Sequence, residues 1–328
     1  MRGFIFVIIL LFSNTSFSQS LQSHKKVLKL MGCRFEITAV ASNDTTAWEA
    51  IRNGIAEIER IEKLISSWDK NSQTSLINQQ AGLKPIKVDK ELFDLIVRAK
   101  KVSQLTDGAF DVSFASMDRI WKFDGSMSSM PDESVVKNAA KKIDWKDIIA
   151  DSEHQTIFLK RKNMKIGFGA IGKGYAANRA MQIMKESAIE GGVVNASGDL
   201  ISWGKNENPN GWTIKIANPK DKNKVLGILE TNDLAVVTSG DYEKFVTFNG
   251  QRYAHIIDPR TGYPTTGIKS VTVICPDAEV ADALATAVFV LGKEEGLNLI
   301  NKLKSVECLI VTDEDEVITS KKLKLQNL

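Results

Sequence analysis

The chain has 328 residues, 43% hydrophobic and 25% charged, which suits one large domain or two closely packed lobes and is too apolar for a disordered or fibrous chain. Its 43 basic and 40 acidic side chains are interleaved along the length for a formal charge of +3, so it lacks the basic stripe that nucleic acid requires. Cys33, Cys275 and Cys308, with His24, His154 and His255, fit no zinc or redox spacing, which sets zinc and thiol chemistry aside and leaves the cysteines as small buried apolar residues.

The first residues read as a secretory signal over 1–18, with 19–328 as the working domain. Arg2 precedes an apolar run over 4–12, and Ser16-Phe17-Ser18 resembles a signal-peptidase site. The run falls short of the roughly 20 residues of a membrane span. An uncleaved anchor is the alternative, and no cysteine follows the run to carry a lipid. A strand is expected over 34–40, after Met31-Gly32. Ile51, Ile55, Ile58, Ile61 and Ile65 then recur at helical spacing within 45–65. A polar turn at 66–69 leads to Leu76-Ile77-Asn78, and a second helix is expected over 90–105.

Further strands are expected over 148–150, 156–159, 193–195, 212–216, 235–237, 245–248, 254–257 and 271–275, with helices over 171–185, 279–291 and 293–303. Consecutive strands interrupted by long helices give an α+β class, with mixed or antiparallel sheets in a single domain of two intimately packed lobes.

Three constellations carry chemistry. The run from Gly167 to Gly174 opens a helix, where backbone N–H groups and the helix dipole meet phosphate. It lacks the βαβ context of a dinucleotide fingerprint, and Gly174 stands where a P-loop needs Ser or Thr. A ligand-free tight turn that eases helix packing is the competing reading. The second constellation is Thr238-Ser239-Gly240-Asp241-Tyr242 followed by 255–262. Asp258 to Gly262 is ordinary turn chemistry, but His255 ends an apolar strand beside Asp, Arg, Thr and Ser-Gly. In the third, Asp277 caps a helix that places Asp282 and Thr286 four apart on one face, two hard oxygen donors of the kind magnesium accepts.

In this order and spacing the pieces resemble the ApbE family of FAD:protein FMN transferases. The resemblance takes in Met31-Gly32-Cys33, Ser66-Ser67-Trp68 through Asn78, Gly108 to Asp111 with Trp121-Lys122-Phe123, Ala170 to Ala176, and Asn195 with Gly198-Asp199. It continues through the 238–242 and 255–262 runs to 281–286. It implies magnesium-dependent transfer of FMN from FAD to a Thr or Ser hydroxyl of an acceptor protein, with release of AMP. It further implies that Asp282, Thr286 and the backbone carbonyl of Ala170 hold magnesium. FAD would lie against Met31, Trp68, Ala109, Phe110, Asp111, Lys173 and Ile257, and His255 would be the general base. Acceptors would be such proteins as subunits of membrane redox complexes, and the enzyme would be exported to the periplasm or attached to the inner membrane. Magnesium-dependent FAD pyrophosphatase activity and non-catalytic periplasmic flavin binding are the alternatives. Cys33 replaces the family's usual Thr, Gly167 a frequent Asp, and Ala285 an acidic residue found in some members.

Overall fold

The computed structural model describes residues 20–208, 211–221, 224–240 and 245–326; the expected signal at 1–18, and Asp241 and Tyr242, lie outside them. The chain opens with β1 (Gln22–Leu30), β2 (Cys33–Ala41) and α1 (Asp44–Ile65), followed by α2 (Gln73–Gln79), β3 (Ile86–Lys87) and α3 (Lys90–Leu105). Next come α4 (Glu133–Ala140), β4 (Ile148–Asp151), β5 (Thr156–Leu159) and α5 (Gly172–Lys185). Strands then dominate: β6 (Gly191–Ala196), β7 (Asp199–Gly204), β8 (Trp212–Ala217), β9 (Val225–Thr231), β10 (Leu234–Gly240), β11 (Phe245–Phe248), β12 (Gln251–Ala254) and β13 (Ile268–Cys275). The chain closes with α6 (Ala278–Ile300), β14 (Glu307–Thr312) and β15 (Val317–Thr319).

An antiparallel sheet in the order β1-β2-β6-β7-β10-β13-β14-β15 forms the main lobe. Helices α1, α5 and α6 pack on one face of it. The β8–β9 hairpin covers part of the other face, where Ile214 and Ile216 meet Val236 and Ile274. Both faces of β10 and β13 are therefore buried, and this is why they read as continuous apolar runs rather than alternating ones. Along β10 the pleat sends Ala235 and Val237 to the helices and Val236 to the hairpin. The smaller sheet β3-β5-β4, with α2 against β5, belongs to the second lobe.

Helix α1 starts where the Asn43 side chain accepts from the Thr46 N–H at 2.9 Å, and it buries Ile51, Ile58, Ile61 and Ile65. Asp277 caps α6 by accepting from the Val280 N–H at 3.0 Å. Gly292, at φ 82° and ψ 177°, breaks the helical path between the two expected pieces. One expected strand shrinks. Over 254–257 only Ala254 belongs to a ladder, because the chain turns away after it and only Ile257 bridges to Pro264.

Candidate active site

Between the lobes lies a cleft of about 610 Å³. Seven segments meet at it: the turn after α1, the residues after α3, the glycine-rich run leading into α5, the turn between β6 and β7, the end of β10, the turn after β12, and α6. Every residue expected to contact magnesium, FAD or the acceptor lines this cleft except Met31. Met31 instead has left-handed backbone at φ 49°, donates its N–H to Glu62 Oε2 at 3.0 Å, and packs half-buried behind Gly172.

Helix α5 begins at Gly172 with Ile171 as an N-cap that supplies no side-chain acceptor. Asp282, reaching over from α6, takes that role: its Oδ2 accepts from the Gly174 N–H at 3.0 Å. A carboxylate is well placed there by the helix dipole. Gly174 is glycine because a Cβ would meet the Ala278 carbonyl oxygen at 2.0 Å, so the tight-packing reading of the run holds at this position. Gly169 faces open space at the cleft wall, and Gly167 has only Ala115 near, 3.0 Å from where its Cβ would stand.

Lys173 projects from the first turn of α5 to an ion pair with Asp199 at the start of β7. Asp199 and Asp282 are 1% and 3% exposed. Burial pushes both carboxyls upward, the Asp199 carboxylate adds to the rise at Asp282, and Lys173 opposes it at both. Against a burial that works to lower it, the two carboxylates hold the Lys173 ammonium well above its ordinary range. One ammonium thus faces two buried carboxylates, an imbalance that a further cation at Asp282 would correct. Ser239 Oγ lies 3.5 Å from Thr286 Oγ1, one turn along α6 from Asp282, so hydroxyl oxygens adjoin the carboxylate. With Ala170 lining the same cleft, the donors expected there are all hard oxygens with one acidic member. That set suits magnesium, which takes few protein carboxylates and completes its shell with water and phosphate. Among the described residues no group of three or more His, Cys, Asp or Glu gathers, so a dedicated cage for a softer metal is absent there.

The opposite end is open. His255 is exposed, edge-on to Phe123 at 6.4 Å between ring centroids, and sits on backbone fixed by Thr265. Thr265 accepts from the Ala254 N–H at 3.0 Å, and its own N–H and hydroxyl donate to the Ile256 carbonyl, each at 2.9 Å. Asp258 to Gly262 forms the expected turn, with Gly262 at φ 79° and its N–H donating to the Asp258 carbonyl at 2.8 Å. Trp121 clamps it by donating its indole N–H to the Gly262 carbonyl at 2.8 Å. Trp68 is 76% exposed, and the Arg119 guanidinium covers its ring at 4.7 Å. The 117–123 segment therefore touches both the aromatic wall and the histidine.

Asp111 contributes differently from what a free carboxylate would. Its Oδ1 accepts from the Ser113 N–H and hydroxyl, each at 2.7 Å, and its Oδ2 from the Trp145 N–H at 3.0 Å. Burial pushes this carboxyl up while those bonds hold it down. Both oxygens are thus engaged in shaping the wall that Ala109 and Phe110 share.

Asp199 is the residue that sequence reading passed over as to role. Its signal was a lone acid after Ser197-Gly198 at the start of a strand, which a turn explains equally well.

The ApbE family profile matches residues 31–310. A Klebsiella pneumoniae protein named FAD:protein FMN transferase is 31% identical over 271 residues, 82% of this chain and 84% of its own. A Treponema pallidum protein of the same name is 30% identical over 278 residues, 80% of this chain and 77% of its own. Among solved structures, the ApbE protein of Thermotoga maritima superposes with a TM-score of 0.82 at 30% identity, covering 92% of this chain and 97% of its own. The flavin transferase ApbE of Vibrio cholerae shares the fold, with a TM-score of 0.81 at 24% identity, covering 92% and 98%. With residues 31–310 matched, the chain belongs to the ApbE family.

Proposed function

We propose that this enzyme transfers FMN from FAD to a Thr or Ser hydroxyl of an acceptor protein, with magnesium, releasing AMP. The observation that carries the reading is the arrangement of one cleft, lined by Lys173, Asp282, Thr286 and Ala170, in which Asp282 is buried and His255 exposed. Relatives named FAD:protein FMN transferase support the substrate pair.

In this reading His255 takes the proton of the acceptor hydroxyl, whose oxygen bonds to the phosphorus on the FMN side. The pyrophosphate P–O bond breaks and its electron pair leaves with AMP. Asp282, Thr286 and the Ala170 carbonyl would hold magnesium, which supplies charge neutralisation on phosphoryl oxygens. Lys173 adds a positive charge in the same cleft, and the exposed Trp68 ring offers apolar surface to a flavin. Export to the periplasm, through the 1–18 segment, belongs to the same proposal.

The test incubates the protein with FAD, Mg²⁺ and an exported acceptor domain, and looks for acceptor fluorescence that survives denaturation. Asp282→Ala should remove Mg²⁺ dependence together with transfer. Free FMN and AMP in equal amounts, with no labelled acceptor from several candidates, would replace this reading with FAD hydrolysis. FAD retention without AMP at any Mg²⁺ concentration would make the protein a flavin carrier.

A further inference from the structure

The carboxylate at the buried end is held by a contact between two helices, and a side chain outside the cleft makes the second half of that contact. Asn178 lies one turn beyond Gly174 on α5, just as Asp282 lies one turn beyond Ala278 on α6, so the two pairs face each other as rungs. On the first rung the Gly174 N–H donates to Asp282 Oδ2 at 3.0 Å. On the second, Asn178 Oδ1 accepts from the Ala278 N–H at 2.9 Å. The Asn178 amide also donates through Nδ2 to Asp277 Oδ1 at 2.8 Å, the same oxygen that caps α6.

These partners are of opposite type: Ala278 presents a donor and Asp277 a carboxylate. An amide alone among side chains of this size satisfies both at once. An aspartate would keep the first bond but set carboxylate against carboxylate, and an apolar residue would lose both. Asn178 is 8% exposed, so its bonds are made away from bulk water, where an unmade one costs most. The outer flank of the same α6 turn is tied separately, by Arg98 to Glu279 at 2.7 and 3.0 Å. The α5 flank depends on Asn178 and the glycine contact.

We propose that Asn178 is a positioning residue: by locking the first turn of α6 onto α5 it fixes Asp282, and through Asp282 the cation affinity of the cleft. This rests on the reading of Asp282 as a metal ligand. Cation binding is measured with Mn²⁺ by electron paramagnetic resonance, without turnover, beside the affinity for FAD in the absence of divalent metal. Asn178→Asp should weaken Mn²⁺ about tenfold and leave metal-free FAD binding unchanged. Adding Asp277→Asn reverses the polarity of the pair and should restore Mn²⁺ to within about threefold of wild type. Asn178→Ala, which brings no repulsion, should also bind Mn²⁺ about tenfold more weakly and carries the comparison if the aspartate variant fails to fold. Wild-type Mn²⁺ affinity in the folded single variants, with or without lost stability, overturns the proposal. Failure of the swap to recover affinity overturns it as well. Wild-type protein that binds no Mn²⁺ would instead overturn the metal reading beneath it.

Discussion

Replacing Gly174 by alanine tests the helix contact on which the buried end depends. The new methyl would lie 2.0 Å from the Ala278 carbonyl oxygen and 2.9 Å from Asp282 Cβ, and neither is the free end of a flexible side chain. Reaching the 3.4 Å at which ordinary contact begins requires α5 and α6 to part by roughly 1.4 Å. Alanine gains up to about 1 kcal/mol of helix propensity over glycine. Overpacking between rigid backbones costs about 3 kcal/mol, and stretching a hydrogen bond to a carboxylate adds about 1.5 kcal/mol, so the clash wins by roughly 3.5 kcal/mol. Urea unfolding followed by circular dichroism should show the midpoint falling by about 1 M at an m value near 3 kcal/mol/M. A displacement of about 1 Å at Asp282 should also lower transfer about 100-fold. Gly169→Ala, a few residues earlier, places its methyl in open space and should leave the midpoint unmoved. A Gly174→Ala protein with wild-type midpoint and rate would refute the close approach of the two helices.

His255→Ala should lower transfer by about 10²- to 10⁴-fold while FAD affinity, read by quenching of flavin fluorescence, changes little; a full rate would remove His255 as the base. Away from the cleft, Arg60 bonds Glu57 and Glu91 at 2.7 to 2.8 Å, and these hydrogen bonds hold both carboxyls below their ordinary range despite partial burial. Depressed carboxyls lend stability that is complete above the unfolded value of 4.5 and is lost as pH falls through the lower folded value. The gap in urea midpoint between wild type and Arg60→Met should therefore be widest near neutrality and close below pH 4.5, and a gap constant with pH would contradict the assignment.

What was legible in the sequence depended on whether one residue or a pair of surfaces decided the outcome. Helices α1 and α3 announced themselves because their apolar positions recur at helical spacing against a single buried side. The break at Gly292 was legible because glycine supplies the positive φ that stops a helix. Strand β1 was not: Gln22 to Leu30 is an edge strand, mostly exposed, whose lysines suit an unpaired edge and erase the alternation that would betray it. Strand β14 follows the last expected helix and takes its partner from β13, a long-range pairing with no local signature, and β15 then pairs back onto β14. In the cleft, Asp282 and Thr286 were readable as a helix face because their spacing is local. The Lys173–Asp199 pair was not, since its members lie on α5 and β7 and only the stacking of helix on sheet brings them together. Asp111, expected against FAD, lines the cleft. That both its oxygens are spent on Ser113 and Trp145 follows from a turn geometry no motif encodes.

The cleft grades from Asp282, 3% exposed, to Trp68, 76% exposed, with His255 also at the surface. An enzyme whose substrates are both small gains by closing over its base, because excluded water strengthens every charge interaction inside. A base that must reach a hydroxyl on another folded protein cannot be covered by its own chain; the acceptor has to supply the cover. If His255 is the base proposed above, the opening that would admit an acceptor would also admit water, and transfer and hydrolysis would draw on the same His255 and the same cleft. Raising the acceptor concentration at fixed FAD and Mg²⁺ should then suppress free FMN release in step with the rise in labelled acceptor. An acceptor whose target Thr or Ser is changed to Val should still suppress hydrolysis while remaining unlabelled, since it shields the cleft without offering a nucleophile. Hydrolysis indifferent to both acceptors would show that water reaches the phosphorus by a route the acceptor does not cover, and the exposed end of the cleft would need another purpose.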